Sequence, residues 1–286
     1  MVYERDISRP NEIGRRKSDC IAEAQDALCP RSAAWGARTV SNLSQSFEER
    51  LQEIDAYLDL LDAFERQTQN GPPQIGGGPI TAQQQKILYS AVYLHLYNLV
   101  EATMVWCLEA VAAAAAKDGQ WLPADLTDEL RREWIRTTGR THTELNSDNR
   151  LTTTIELCNL LIESVPISEW KFERRGAGSW DDHQIEDMAG RIGCPMYFTP
   201  QAISGIKRKI RDDKTALALI RDFRNRLAHG SLSFTECGDG ATVIDLRMIK
   251  EWTADYLRQV VDAFEQFIDS HGFITSAKRP VIGGET

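Results

Sequence analysis

Paired cysteines are missing from this sequence. Its six cysteines, Cys20, Cys29, Cys107, Cys158, Cys194 and Cys237, are scattered with no Cys-x-x-Cys spacing. That pattern offers neither a disulfide framework nor a zinc site and leaves buried free thiols as the expectation. Histidine is scarce as well: His95, His142, His183, His229 and His271 make no two-histidine ligand motif, and Asp181-Asp182-His183 lies in a stretch without pattern. A metal hydrolase is therefore disfavoured and no metal is expected. Gly76-Gly77-Gly78 follows no predicted strand and carries no lysine, so no nucleotide cofactor is expected either. No apolar run reaches the roughly 20 residues that span a bilayer, and Met1 to Cys20 is polar and charged. The expectation is a cytoplasmic protein without a membrane partner. Net positive charge is lacking too, and a formal charge of −9 argues against a general nucleic-acid coat, which needs clustered bases.

What is present is enough apolar material for a real core: 42% hydrophobic residues in a chain of 286. Phe47, Leu51, Ile54, Leu58, Leu61 and Phe64 recur at helical spacing behind Ser46-Phe47-Glu48-Glu49, a candidate capping box. Asn70-Gly71-Pro72-Pro73 and Gly76-Gly77-Gly78-Pro79 then read as a flexible connection. Thr81 and Gln84 open a long helix to about Lys117 in which Leu88, Val92, Leu96, Leu99, Val100 and Val105 are apolar almost all round, as in a bundle centre or a dimer interface. His95, Asn98 and Glu101 stand out on it, and Glu101 is a possible support for an arginine elsewhere.

Residues 118–204 read as an insertion: helices over Leu126–Ile135 and Leu151–Ser164, then loops with short elements from Ser168 to Phe198. It interleaves Trp121, Trp134, Trp170 and Trp180 with Arg131, Arg132, Arg136, Arg140, Lys171, Arg174 and Arg175. Such residues suit either stacking on single-stranded RNA or, more commonly, core and cover. Beyond Pro200, Ala216, Ile220, Phe223 and Leu227 form the stripe of another helix, with Gly230 placed to end it. Ser231 to Ile244 reads as a small hairpin. A last helix, about Arg247 to Ser270, places Ile249, Trp252, Tyr256, Val260, Phe264 and Phe267 on one face. The whole reads as an all-α bundle of at least four substantial helices with a small β-hairpin before the last one. Residues 1–40 make an N-terminal arm with a possible short helix from Ser18 to Leu28, and 41–286 a single helical domain with the insertion.

Between Ile206 and His229 stand eight bases against three acids, a basic island in an acidic chain. At its end lies Arg221-Asp222-Phe223-Arg224-Asn225-Arg226-Leu227-Ala228-His229-Gly230. On a helix Arg221, Asn225 and His229 share one stripe, with Arg224 turned to its side. An imidazole titrates near neutrality, so His229 can take a proton from a nucleophile or give one to a leaving group. Arg224 suits an anionic phosphate, and Asn225 is placed to orient the imidazole. Arg221, Arg226, Lys207 and Arg208 are further candidate contacts for the substrate. These parts match cleavage of RNA by attack of its own 2′-hydroxyl, without a metal. The bare Arg-to-His spacing is weak, and Arg136 to His142 provides a decoy. What distinguishes the later copy is Asn225 directly after Arg224, the apolar Leu227 and the helix end at Gly230.

Arg224-Asn225-Arg226-Leu227-Ala228-His229-Gly230 resembles the signature of the HEPN superfamily, an Arg, four to six residues, then a His, commonly with a polar residue after the Arg. Tyr93-Leu94-His95-Leu96-Tyr97-Asn98-Leu99-Val100-Glu101-Ala102 is similar to a stretch in a HEPN branch of bacterial toxin-antitoxin and anti-phage defence systems. The resemblance covers about half the chain, the helices of Phe47–Lys117 and Ile206–Ser270. It implies a helical bundle, a homodimer with the two motifs at its interface, and a metal-independent endoribonuclease acting as a toxin or defence effector, with an antitoxin or defence partner. The alternative it leaves is a non-catalytic protein- or RNA-binding module.

Overall fold

Three long helices form the centre of the protein. Helix α1 (Leu43–Thr68) buries Phe47, Leu51, Ile54, Leu58, Leu61 and Phe64, the whole stripe expected from the spacing. Helix α2 (Ala82–Ala116) is buried on most sides. It opens with the expected box: Thr81 Oγ1 accepts from the Gln84 amide at 3.2 Å, and Gln84 Oε1 accepts from the Thr81 amide at 2.8 Å. The last long helix, here α9 (Val243–Asp269), lays Ile249, Tyr256, Val260, Phe264 and Phe267 into the same core, with Trp252 half-buried at its edge. All three helices pack on one another. By their internal contacts residues 39–286 make one compact unit. The computed structural model describes residues 43–68, 71–140, 145–168, 170–173 and 180–280. The expected arm of residues 1–40, with its helix from Ser18 to Leu28, lies outside the described residues, as do His142, Arg174 and Arg175.

Helix α1 begins before the candidate cap. Ser46 sits inside it, buried, and the helix start is tied down by Ser44, whose amide and hydroxyl donate to the Glu265 carboxylate of α9 at 3.0 and 2.8 Å. The connection to α2 is a minimal hairpin, β1 (Gln74–Ile75) against β2 (Gly78–Pro79). Its turn residues Gly76 and Gly77 both have positive φ, +58° and +83°, the backbone that a two-residue hairpin turn needs and glycine supplies freely.

Among the described residues the insertion contributes α3 (Asp128–Thr138), α4 (Ser147–Ile162) and α5 (Asp182–Ile192). Helix α5, 11 residues long, stands where loops with short elements were expected. Asp181 caps it by accepting from the Gln184 amide at 2.9 Å, and Gly193 ends it in a left-handed conformation. Helices α3 and α5 are clamped together by the buried Glu133, which holds both Arg136 and Arg191. Helices α6 (Pro200–Ile206) and α7 (Ala216–Ala228) follow. The stretch from Ser231 to Ile244, expected as a hairpin, instead forms the short helix α8 (Phe234–Cys237), and α9 starts at Val243. A Ser233–Glu236 capping box drives that difference: each side chain bonds the other residue's amide, at 3.2 and 2.8 Å.

One helix among the described residues, Ala82–Gly119, is long and apolar enough by length and composition to cross a membrane. That revises the expectation of no such run. Its apolar faces are occupied by α1, α9, α8 and α7, so it serves as the core helix.

Candidate functional site

The Arg-Asn-to-His segment ends helix α7. Ala216, Leu217, Leu219, Ile220 and Phe223 bury one face against the bundle, with the Phe223 ring edge-on to Tyr93 of α2 at 4.8 Å between centroids. This contact fixes α7 on α2 and leaves Arg224, Asn225 and Arg226 partly exposed beside it. The helix terminates at His229, whose amide still reaches the Asn225 carbonyl at 3.0 Å. Gly230 follows with φ +68°. Ser231 N donates to the Arg226 carbonyl at 2.9 Å and Gly230 N to the Leu227 carbonyl at 3.2 Å, the paired bonds of a Schellman ending. His229 is thus presented at an exposed helix end. Among the described residues its imidazole makes no hydrogen bond to a backbone carbonyl or a side chain, so it does not serve as a cap.

Arg224 is held by neutral groups. Its guanidinium carbon lies 4.6 Å from the centroid of the Tyr97 ring, and its Nη1 donates to Asn225 Oδ1 at 3.0 Å. The Asn225 amide oxygen therefore serves Arg224, whereas the sequence placed it as the orienting group of His229. Tyr97, buried on α2, donates its hydroxyl to Glu101 Oε2 at 3.1 Å. Glu101 is thus linked to Arg224 through Tyr97. Sequence reasoning missed Tyr97 itself, although its spacing of four from both Tyr93 and Glu101 places all three on one helical face.

The other candidate contacts are differently placed. Arg221 is ion-paired with Asp181, the cap of α5. Arg226 lies 3.6 Å from Asp222, one turn back on α7. Lys207 Nζ reaches Asp182 at 2.6 Å and Glu186 at 3.5 Å. Burial works against its charge, but the Asp182 carboxylate, seconded by Glu186, outweighs that and holds the ammonium above its ordinary value. Arg208 is exposed and lies over the Trp252 ring, 5.4 Å from its centroid. The structure therefore brings Arg224, Asn225, Tyr97 and Glu101 into one cluster with His229 at the end of the same helix, and turns Arg221, Arg226 and Lys207 toward carboxylates.

In the insertion, Trp134 and Trp180 are buried in the core, and Trp121 and Trp170 pack half-buried against it. Arg131 spends its donors on the carbonyls of Pro123, Ala124 and Leu126. These residues serve as core and cover there. Among the described residues no three His, Cys, Asp or Glu side chains converge into a group that would hold a metal ion.

A family model described as MAE_28990-like HEPN matches residues 39–273. The chain belongs to this HEPN family. The match takes in α1 through α9, so the insertion lies within the HEPN domain, and the Arg224-to-His229 segment falls near its C-terminal end. No curated protein and no solved structure matches the chain. A HEPN domain points to a nuclease or RNA-related role in general.

Proposed function

We propose that this HEPN protein is a metal-independent endoribonuclease of toxin or anti-phage type, with Arg224 and His229 as its catalytic pair and Asn225 and Tyr97 as positioning groups. The observation that carries this reading is the state of Arg224: a guanidinium fixed by an aromatic face and an amide, with no carboxylate at ion-pair distance among the described residues. A cation held this way is oriented without being neutralised, which is what binding a phosphate requires.

In the reaction the 2′-oxygen attacks the adjacent phosphorus and a P–O2′ bond forms while the P–O5′ bond breaks. Arg224 stabilises the charge that develops on the phosphoryl oxygens. The 2′-hydroxyl loses its proton to an imidazole, and the departing 5′-oxygen gains one from an imidazole. One chain supplies one such histidine. A two-fold dimer apposing the ends of two α7 helices provides both, and the exposed position of His229 supports that arrangement. An antitoxin or another defence component would act by covering this end of α7.

The test is cleavage of single-stranded RNA in EDTA by purified wild type and His229→Ala, with an activating partner added where one is encoded alongside. Cleavage by wild type that His229→Ala lacks is the expected result. Equal persistence of RNA with both proteins removes the enzyme and leaves the non-catalytic binding module.

A further inference from the structure

The eight bases between Lys207 and Arg226 fall into two sets that the sequence does not distinguish. Five are ion-paired: Lys207 with Asp182, Lys209 with Asp213 at 3.4 Å, Lys214 with Asp222 at 2.7 Å, Arg221 with Asp181 and Arg226 with Asp222. The other three, Arg208, Arg211 and Arg224, have no carboxylate at ion-pair distance among the described residues. Each lies over an aromatic ring instead, Arg208 over Trp252 at 5.4 Å, Arg211 over Phe223 at 5.4 Å and Arg224 over Tyr97 at 4.6 Å. Arg211 also donates to the Asp239 backbone carbonyl at 3.1 Å, while the Asp239 carboxylate is taken by Lys86 at 2.6 Å.

This division has a physical consequence. A phosphate approaching an ion-paired base meets the carboxylate as well, so attraction and repulsion nearly cancel at the distance of approach. An aromatic face attracts the guanidinium through its quadrupole and carries no net charge. It also restricts a long side chain beforehand, which reduces the ordering cost on binding. Arg208 and Arg211 are exposed, in the connection between α6 and α7, and Arg224 follows on α7 itself. We infer that the phosphates of a single-stranded RNA are held by Arg208, Arg211 and Arg224, the ring-mounted arginines, and that Lys207, Arg221 and Arg226 serve the fold alone. Arg208 and Arg211 thereby extend the site from the reacting phosphate to neighbouring ones. The inference rests on the ribonuclease reading for its ligand.

The experiment uses full-length His229→Ala protein, which binds without cutting, and a fluorescein-labelled single-stranded RNA titrated at several salt concentrations. Arg208→Gln and Arg211→Gln are each expected to lower the dependence of log affinity on log salt by about 0.7, the loss of one phosphate contact to a single strand. Lys207→Gln, Arg221→Gln and Arg226→Gln are expected to leave that slope unchanged. All five changes remove one positive charge, so a general effect of net charge would move both sets alike. Equal effects, or a larger effect from the ion-paired set, overturn the inference while leaving the ribonuclease reading intact. The Arg208 side chain makes no hydrogen bond among the described residues, and its backbone bond from N to the Gly205 carbonyl at 3.2 Å is untouched by the change, so Arg208→Gln decides the matter even where Arg211→Gln fails to fold. If wild type cuts no RNA and His229→Ala binds none, the ribonuclease reading falls and this inference with it.

Discussion

The guanidinium of Arg224 on α7 stands 4.6 Å from the centre of the Tyr97 ring on α2, and the Tyr97 hydroxyl is anchored by Glu101 one turn further on. Two helices that the core holds together thus set one cation at the protein surface. A cation–π contact of this kind contributes about 0.5–2 kcal/mol, so Tyr97→Leu is expected to slow RNA cleavage roughly 2- to 30-fold. Tyr97→Phe keeps the ring and loses only the bond to Glu101, and should retain most activity. Arg224→Lys should not rescue, because an ammonium lacks the planar fork that both stacks and binds phosphate. The measurement is single-turnover cleavage with thermal melts as a control for folding. Equal loss in Tyr97→Leu and Tyr97→Phe would show that the hydroxyl matters and the ring does not.

The proposed attack by the 2′-hydroxyl would fix the chemistry of the product ends. The 5′ fragment should carry a 2′,3′-cyclic phosphate and the 3′ fragment a free 5′-hydroxyl, open to phosphorylation by polynucleotide kinase without prior phosphatase. An RNA with 2′-deoxy substitution at the cut site should not be cleaved there. Fragments with 5′-phosphates would contradict this mechanism, since they require water as the nucleophile.

The long elements were legible in the sequence because their apolar periodicity is strong. The stripe Phe47 to Phe64 and, apart from the half-buried Trp252, the α9 face from Ile249 to Phe267 are core residues, as their spacing implied. Short elements were less so. Helix α5 has the apolar set Ile185, Met188, Ala189 and Ile192 between an Asp cap and a left-handed glycine, but at 11 residues its period competes with the surrounding glycines. At α8 the Gly-Asp-Gly of Gly238 to Gly240 drew attention to a turn, while the deciding signal was the local box of Ser233 and Glu236. Within the site, residue types were readable and partners were not. Nothing local in the sequence says that Arg221 meets Asp181, 40 positions away, or that Arg224 meets Tyr97 on another helix.

The cysteines offer a check on packing that is independent of function. Cys107, Cys194 and Cys237 are buried and free, as expected, but Cys158 on α4 is exposed. Burial pushes the Cys237 thiol up to about 11 and the Cys194 thiol up to about 12, so neither forms appreciable thiolate at pH 8, and only the thiolate reacts. Iodoacetamide at pH 8 should therefore label Cys158 in the native protein and spare the other three, as read by peptide mass spectrometry. At pH 9 the buried thiols should still stay protected until the protein unfolds. Labelling of Cys237 at the rate of Cys158 under native conditions would mean that α8 does not sit closed on α2.

Two glycines close to the site separate steric from conformational constraint. A Cβ on Gly238 would lie 1.9 Å from the Lys86 carbonyl oxygen, which is backbone of α2 and cannot move aside. Gly238→Ala must push the end of α8 off the core helix, and a destabilisation of about 3 kcal/mol is expected, the upper range for overpacking. Gly230 has open space around its Cα, but φ is +68°, where an alanine is strained by roughly 1–2 kcal/mol. Asparagine visits that region more readily, so Gly230→Asn should be milder than Gly230→Ala, whereas Gly238→Asn should be at least as damaging as Gly238→Ala. Urea unfolding of the four variants tests the distinction. If asparagine relieved the loss at Gly238 and not at Gly230, the assignment of a contact limit to one and a backbone limit to the other would be reversed.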